Sequence, residues 1–219
     1  MEKVSTIGID LAKQVFQVHG AAGDGTVIFR RRLNREKFLA FLATAPACVV
    51  AMEACASAHY WGRETRRLGH EVRLIAPAYV KPFVKRQKND MADAEAICEA
   101  AQRPTMRFVA VKSEAQQASA MIFKARDLLV RHRTATINAL RAHLAEFGFI
   151  APKGTAHVKR LQVMIEDTSN GMPVPARLLY QDLLEMIRIY STRIGTISRF
   201  SSSSQFRRFH RFFAIDKPR

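Results

Sequence analysis

At 219 residues and 24.7 kDa, with 48% apolar and 25% charged residues, the chain has room for one ordinary core and an appendage. No run approaches the roughly 18 uninterrupted apolar residues of a membrane span, and Cys48, Cys55 and Cys98 form no CxxC pair, which fits reduced, buried thiols rather than a zinc site or a secreted disulfide framework. The net charge of +16 and pI near 10.5 point to a polyanion partner, nucleic acid foremost, and no basic amphipathic helix with aromatic anchors argues for a membrane surface instead.

Met1-Glu2-Lys3-Val4 runs straight into a strand-like pattern with no charged region, apolar region and cleavage site, so a cytoplasmic protein is expected. Val4–Asp10 is a β-branched run, Gln14–His19 alternates apolar with polar, and Thr26–Arg32 follows a glycine-rich turn at positions 20–25. These three read as an antiparallel meander. Asn34 is expected to cap a helix carrying Phe38, Leu39, Phe41 and Leu42. Cys48–Met52 is a continuous apolar strand, buried on both faces and ended by Glu53.

A helix is predicted over Ala54–Leu68, with Tyr60, Trp61 and Leu68 as its apolar side and Gly69 at its C-terminal stop. Glu71–Ile75 supplies a fifth strand. Pro77 opens a short basic element bearing Lys81, Lys85, Arg86 and Lys88, and an Ala-rich helix starts within Lys88–Ile97. Strands interleaved with helices mark an α/β layer fold with a mixed five-stranded sheet over residues 1–110.

Beyond Pro104 the pattern changes to long helices over residues 111–199. Ser113–Phe147 has no Pro or Gly, and Ile137, Leu140, Leu144 and Phe147 keep helical spacing. A second long helix is predicted from Pro175 to Ile197, with Leu178, Leu179, Leu183, Leu184, Ile187 and Ile194 as its stripe, and the connector holds one short helix near Leu161–Ile165. Two long helices joined this way suggest an antiparallel coiled coil, an element that often dimerises. Lys124, Arg126, Arg131, Arg133 and Arg141 dress the other faces of the first helix, as a solvated surface or as a grip on nucleic acid. Residues 200–219, with a serine run and Phe/Arg at no consistent period, are expected to be disordered and carry no assigned function.

The acids carry the chemistry. Asp10 and Glu53 close the first and fourth strands, and Asp90 and Asp93 open the helix after the fifth. Ligands in open α/β sheets gather outside the carboxyl ends of the strands, and positions i and i+3 share a helix face. The four acids can therefore meet. Asp-x-x-Asp at a helix start also reads as an N-cap with a following acid, and both readings can hold together. Four facing carboxylates call for a compensating cation, magnesium or manganese in its place, as in two-metal phosphoryl transfer.

The chain resembles insertion-sequence transposases of the DEDD class, also described as bridge-RNA-guided recombinases. The resemblance rests on Ile7-Gly-Ile-Asp10-Leu-Ala-Lys13, Ala51-Met-Glu53-Ala-Cys, His70-Glu-Val-Arg-Leu-Ile75 leading to Val80-Lys-Pro-Phe-Val-Lys85, and Lys88-Asn-Asp90-Met-Ala-Asp93-Ala-Glu-Ala, and spans roughly residues 4 to 198. It implies an RNase H-like (RuvC-like) catalytic domain, divalent metal on Asp10, Glu53, Asp90 and Asp93, DNA as partner, a possible guide RNA, and a coiled coil that makes a homodimer or higher oligomer. Lys13, Lys81, Lys85, Arg86, Lys88, Arg131, Arg133 and Arg141 are the candidate nucleic-acid contacts. Members of the class continue into a second domain with a serine nucleophile. None of Ser201–Ser204 sits in a matching motif, so a truncated copy is expected, with an inactive nucleic-acid-binding remnant as the alternative.

Overall fold

A computed structural model describes residues 4–84 and 90–203, with the backbone alone at Asp90. Lys85, Arg86 and Lys88, and the expected disordered end from residue 204 onward, lie outside the described residues. The chain divides into two compact units, Met1–Gln117 and Ala118–Arg219.

The first unit is built on a mixed sheet of β1 (Thr6–Leu11), β2 (Val15–Ala21), β3 (Val27–Asn34), β4 (Val49–Glu53), β5 (Glu71–Ile75) and β6 (Phe108–Val109), in the order β3-β2-β1-β4-β5-β6. The first three strands form the expected antiparallel meander, and β4 and β5 run parallel to β1. The sheet has six strands rather than five. β6 adds only two residues, antiparallel to β5, too few to leave a periodic pattern in the sequence.

Strand alternation divides the side chains between two faces. Ile7 and Ile9 of β1, Val50 and Met52 of β4 and Val72 and Leu74 of β5 face α1 (Phe38–Thr44) and α2 (Ala58–Arg67), forming one core. Phe16, Phe38 and Trp61 lock it through mutual edge-on contacts at 5.1–5.3 Å, each worth about 0.5–1.5 kcal/mol beyond burial. The opposite core joins Ala51 of β4 and Ile75 of β5 to α3 (Pro77–Val80) and α4 (Asp90–Ala101). This is an α/β/α sandwich.

Two local expectations change. A 3₁₀ turn at Arg35–Lys37 precedes α1, and Asn34 makes no side-chain cap, because the chain leaves β3 through a tight turn instead of a free helix end. α2 starts at Ala58, after Ser57 in the left-handed region at φ 74°, since residues 54–57 turn the chain out of the sheet. Its buried face is Ala58, Trp61, Gly62 and Thr65, whereas Tyr60 and Leu68 are exposed. Gly69 does end the helix, at φ 88°.

The second unit holds most of α5 (Glu114–Ala145), then α6 (Val158–Glu166) and α7 (Val174–Ser202). Its core gathers Ile137, Leu140 and Leu144 of α5, Leu161 and Ile165 of α6, and Tyr180, Leu184 and Ile187 of α7. The Arg126 guanidinium donates to Ser198 at 2.9 Å, the His132 and Tyr190 rings meet at 5.9 Å, and the Tyr180 hydroxyl donates to the His143 carbonyl at 3.2 Å. These contacts share one antiparallel register of α5 on α7. Leu178, Leu179 and Phe147 are exposed, so the buried stripe of α7 is narrower than the run of leucines implied. A feature absent from the sequence reading holds the α6–α7 turn: buried Arg177 donates to the carbonyls of Ile165 and, at 2.6 Å, Asp167, and to Asn170 Oδ1 at 2.9 Å.

Candidate active site

Sheet geometry determines where the acids stand. Gly8 of β1 and Ala51 of β4 point to the α4 side, and each acid of interest lies two residues further along, hence on that same face. β1 and β4 are parallel neighbours with Ile9 opposite Met52, so Asp10 and Glu53 leave the sheet at one level and one edge. The third acid comes from the helix above. α4 descends so closely on β1 that a Cβ on Gly8 would lie 2.4 Å from the Ala94 carbonyl oxygen and 2.6 Å from Cys98 Cβ. Only glycine admits this approach. It brings Asp93, adjacent to Ala94, toward the carboxyl ends of β1 and β4.

Asp10, Glu53 and Asp93 line one cavity of about 460 Å³ with Pro77, Val80, Lys81 and Val84. All three acids are half-buried and Lys81 is exposed. The possible ligands are three carboxylates, a hard, all-oxygen set of the type that suits magnesium or manganese, and the Lys81 ammonium beside them is a positive charge rather than a ligand. Among the described residues no three acids, histidines or cysteines close into a group tight enough to hold an ion; the side chain of Asp90, at the first residue of α4, is outside that set. Cys55 shares the neighbourhood. Burial first, then the charges of Glu53 and Asp10, push its thiol above the ordinary range, while burial pushes Cys48 and Cys98 up to about 11. Thiols of this kind are poor nucleophiles.

The remaining basic candidates are distributed. Lys13 lines a separate surface cavity with Asn34 and Arg35, and its carbonyl accepts from Arg35 at 3.4 Å. In the helical unit Arg131 pairs with Asp127, Arg141 donates to the Ala151 carbonyl at 3.2 Å, and Arg133 is half-buried. Arg141 thus has a structural task that its charge did not announce. Among the described residues no helix is long and apolar enough to cross a membrane. The α3 segment and the 3₁₀ turn at Lys81–Phe83, in sequence a basic element and part of the family resemblance, supply Pro77, Val80 and Lys81 as a wall of the acid cavity. The mixture of proline, aliphatic, aromatic and basic residues in Pro-Ala-Tyr-Val-Lys-Pro-Phe is the only local sign of that role.

A family model of the DEDD class, described as Transposase, matches residues 7–149. The chain is 48% identical over 198 residues to the "Probable family 20 transposase" of Pseudomonas aeruginosa, covering 90% of this chain and 59% of that protein. It is 48% identical over 167 residues to the "Transposase for insertion sequence element IS1328" of Yersinia enterocolitica, covering 76% of this chain and 50% of that one. With the "Transposase for insertion sequence element IS1111A" of Coxiella burnetii the identity is 37% over 213 residues, 94% of this chain and 58% of the relative. The chain therefore spans 50–59% of the length of these three relatives. Among solved structures, Thermus thermophilus RuvC aligns at 14% identity and TM-score 0.37, over 48% of this chain and 99% of that one.

Proposed function

Because the chain belongs to the DEDD family of insertion-sequence transposases, we propose that its sheet unit is the metal-dependent strand-cutting part of a DNA transposase. One observation carries the reading: Asp10, Glu53 and Asp93, far apart in sequence, line a single cavity at the carboxyl edge of parallel strands. Asp10, Glu53, Asp93 and Asp90 would hold magnesium or manganese, which when bound supplies the positive charge that activates a hydroxyl nucleophile and steadies the leaving oxygen. The residues themselves do the positioning. Asp10 and Glu53 are fixed by β-register, Asp93 by the α4–β1 contact, and the Lys81 ammonium at the cavity wall attracts the substrate phosphate. The excess of basic residues favours DNA, and the family resemblance adds a guide RNA as a second polyanion. The α5–α7 pair, with Leu178, Leu179, Met186 and Ile189 exposed on α7, is proposed to extend into a coiled coil between copies.

The test is nicking of branched DNA in magnesium. Wild type is expected to cut, while Asp10→Ala and Asp93→Ala bind DNA unchanged and do not cut. Cutting that survives in both variants sinks the proposal. A second reading, a nucleic-acid-binding remnant without chemistry, draws on the net charge of +16, which calls for binding a polyanion and not for cutting it. Tight, salt-sensitive binding with no cutting in wild type would select it.

A further inference from the structure

The wall of the acid cavity has a second side. Within the seven residues 77–83, Pro77, Val80 and Lys81 line the acids, while Tyr79, Pro82 and Phe83 line a neighbouring cavity of about 620 Å³ completed by Arg103, Met106 and Arg107. That volume is within the range of small-molecule sites. Its composition is specific. Tyr79 is 50% exposed, the Arg103 guanidinium, ion-paired with Glu99, lies over the Phe83 ring at 5.3 Å from its centroid, and Arg107 is exposed. An exposed ring flanked by guanidinium groups stacks a flat π-system and holds the phosphate attached to it.

We propose that this cavity seats one unpaired DNA base, stacked on Tyr79 and held by Arg103 and Arg107, next to the strand whose phosphate enters the acid cavity. The assignment rests on the strand-cutting reading for the choice of DNA. A base inside duplex DNA presents only its edges, so the ring face of Tyr79 reaches it only where it is unstacked. The shared wall then couples the two cavities: Lys81 on one side and Tyr79 on the other bracket adjacent parts of one strand, keeping its register while the phosphate meets Asp10, Glu53 and Asp93.

The experiment is fluorescence-anisotropy titration of the full chain with fluorescein-labelled oligothymidylate, alone or annealed to oligoadenylate, and with oligouridylate, in EDTA across a salt series. Without metal, cutting plays no part, so failure here leaves the nuclease proposal standing and the reverse also holds. Tyr79→Ala is expected to weaken single-strand binding about 5-fold or more, with the duplex affinity and the salt slope unchanged and Tyr79→Phe restoring the wild-type value. Arg107→Ala is expected to weaken both and lower the salt slope by about one contact. Circular dichroism of each variant confirms the fold. Equal loss of single-strand and duplex affinity in Tyr79→Ala, no loss at all, or a Tyr79 effect confined to oligouridylate would overturn the assignment.

Discussion

In the sheet unit each proposed functional side chain is fixed by strand register and by one close helix contact, whereas the helical unit holds its charges on helix faces that neighbouring residues share. Asp10 and Glu53 follow from the pairing of Ile9 with Met52, and Asp93 from the approach of α4 on Gly8. A one-residue change of register there would turn both strand acids to the other face. In α7, by contrast, Leu178 and Leu179 are exposed while Tyr180, Leu184 and Ile187 are buried, so several leucines satisfy the helical period without entering the core. Position along the chain therefore fixes chemistry in the first unit, and in the second mostly surface.

The largest expected effect separates the units by activity. Asp10→Ala or Asp93→Ala should reduce metal-dependent nicking by at least about 100-fold, while Arg131→Ala, on the exposed face of α5, should change it only through DNA affinity. A similar loss in Arg131→Ala would break the distinction.

Stability sharpens it next. Gly8→Val forces Cβ against the Ala94 carbonyl and Cys98, and should cost about 3 kcal/mol or more by overpacking. Hydrogen exchange should then rise across β1 and α4 and stay unchanged in α6 and α7. Arg177→Met, a swap of similar length, leaves the carbonyls of Ile165 and Asp167 without their donor and should cost about 2 kcal/mol. Its faster exchange should be confined to α6 and α7. Spread of either signature into the other unit would mean that the two fold as one.

The smallest effect concerns the turn that follows Glu53. Ser57 holds φ 74°, a left-handed conformation that costs an L-residue about 1 kcal/mol. Ser57→Gly should therefore raise stability by roughly that amount, less the entropy glycine adds to the unfolded chain, measurable as a small rise in urea midpoint at constant m-value. A lower midpoint would show that Ser57 does more than turn the chain.

Much of this arrangement was legible in the residues because alternation and length are local signals. The β-branched run to Asp10, the apolar run to Glu53 and the proline-free stretch of α5 state their elements directly. Convergence of the strand acids also followed, since parallel neighbours share a carboxyl edge. The rest depended on tertiary contact. Two-residue β6 exists only as a partner of β5, Asn34 loses its cap to a tight turn, and Arg177 is buried because three acceptors meet at the α6–α7 turn. Gly8 is the instructive case: one glycine in a strand hints at close approach, but which helix approaches is written nowhere in its neighbours. The double-sided wall at residues 77–83 was hidden likewise, since Tyr79 and Lys81 sort onto different cavities only once the chain turns.

Asp10, Glu53 and Asp93, together with Asp90, are proposed to hold a cation, and thermal unfolding with and without magnesium tests that site most directly. A ligand that binds only the folded state stabilises it by about 2.7 kcal/mol at 100 times its Kd. Millimolar magnesium should raise the wild-type Tm, and Asp10→Asn and Asp93→Asn should abolish the rise while leaving the metal-free Tm unchanged or higher, because each removes like-charge repulsion. A wild-type Tm indifferent to magnesium, or an equal rise in both variants, would contradict the account.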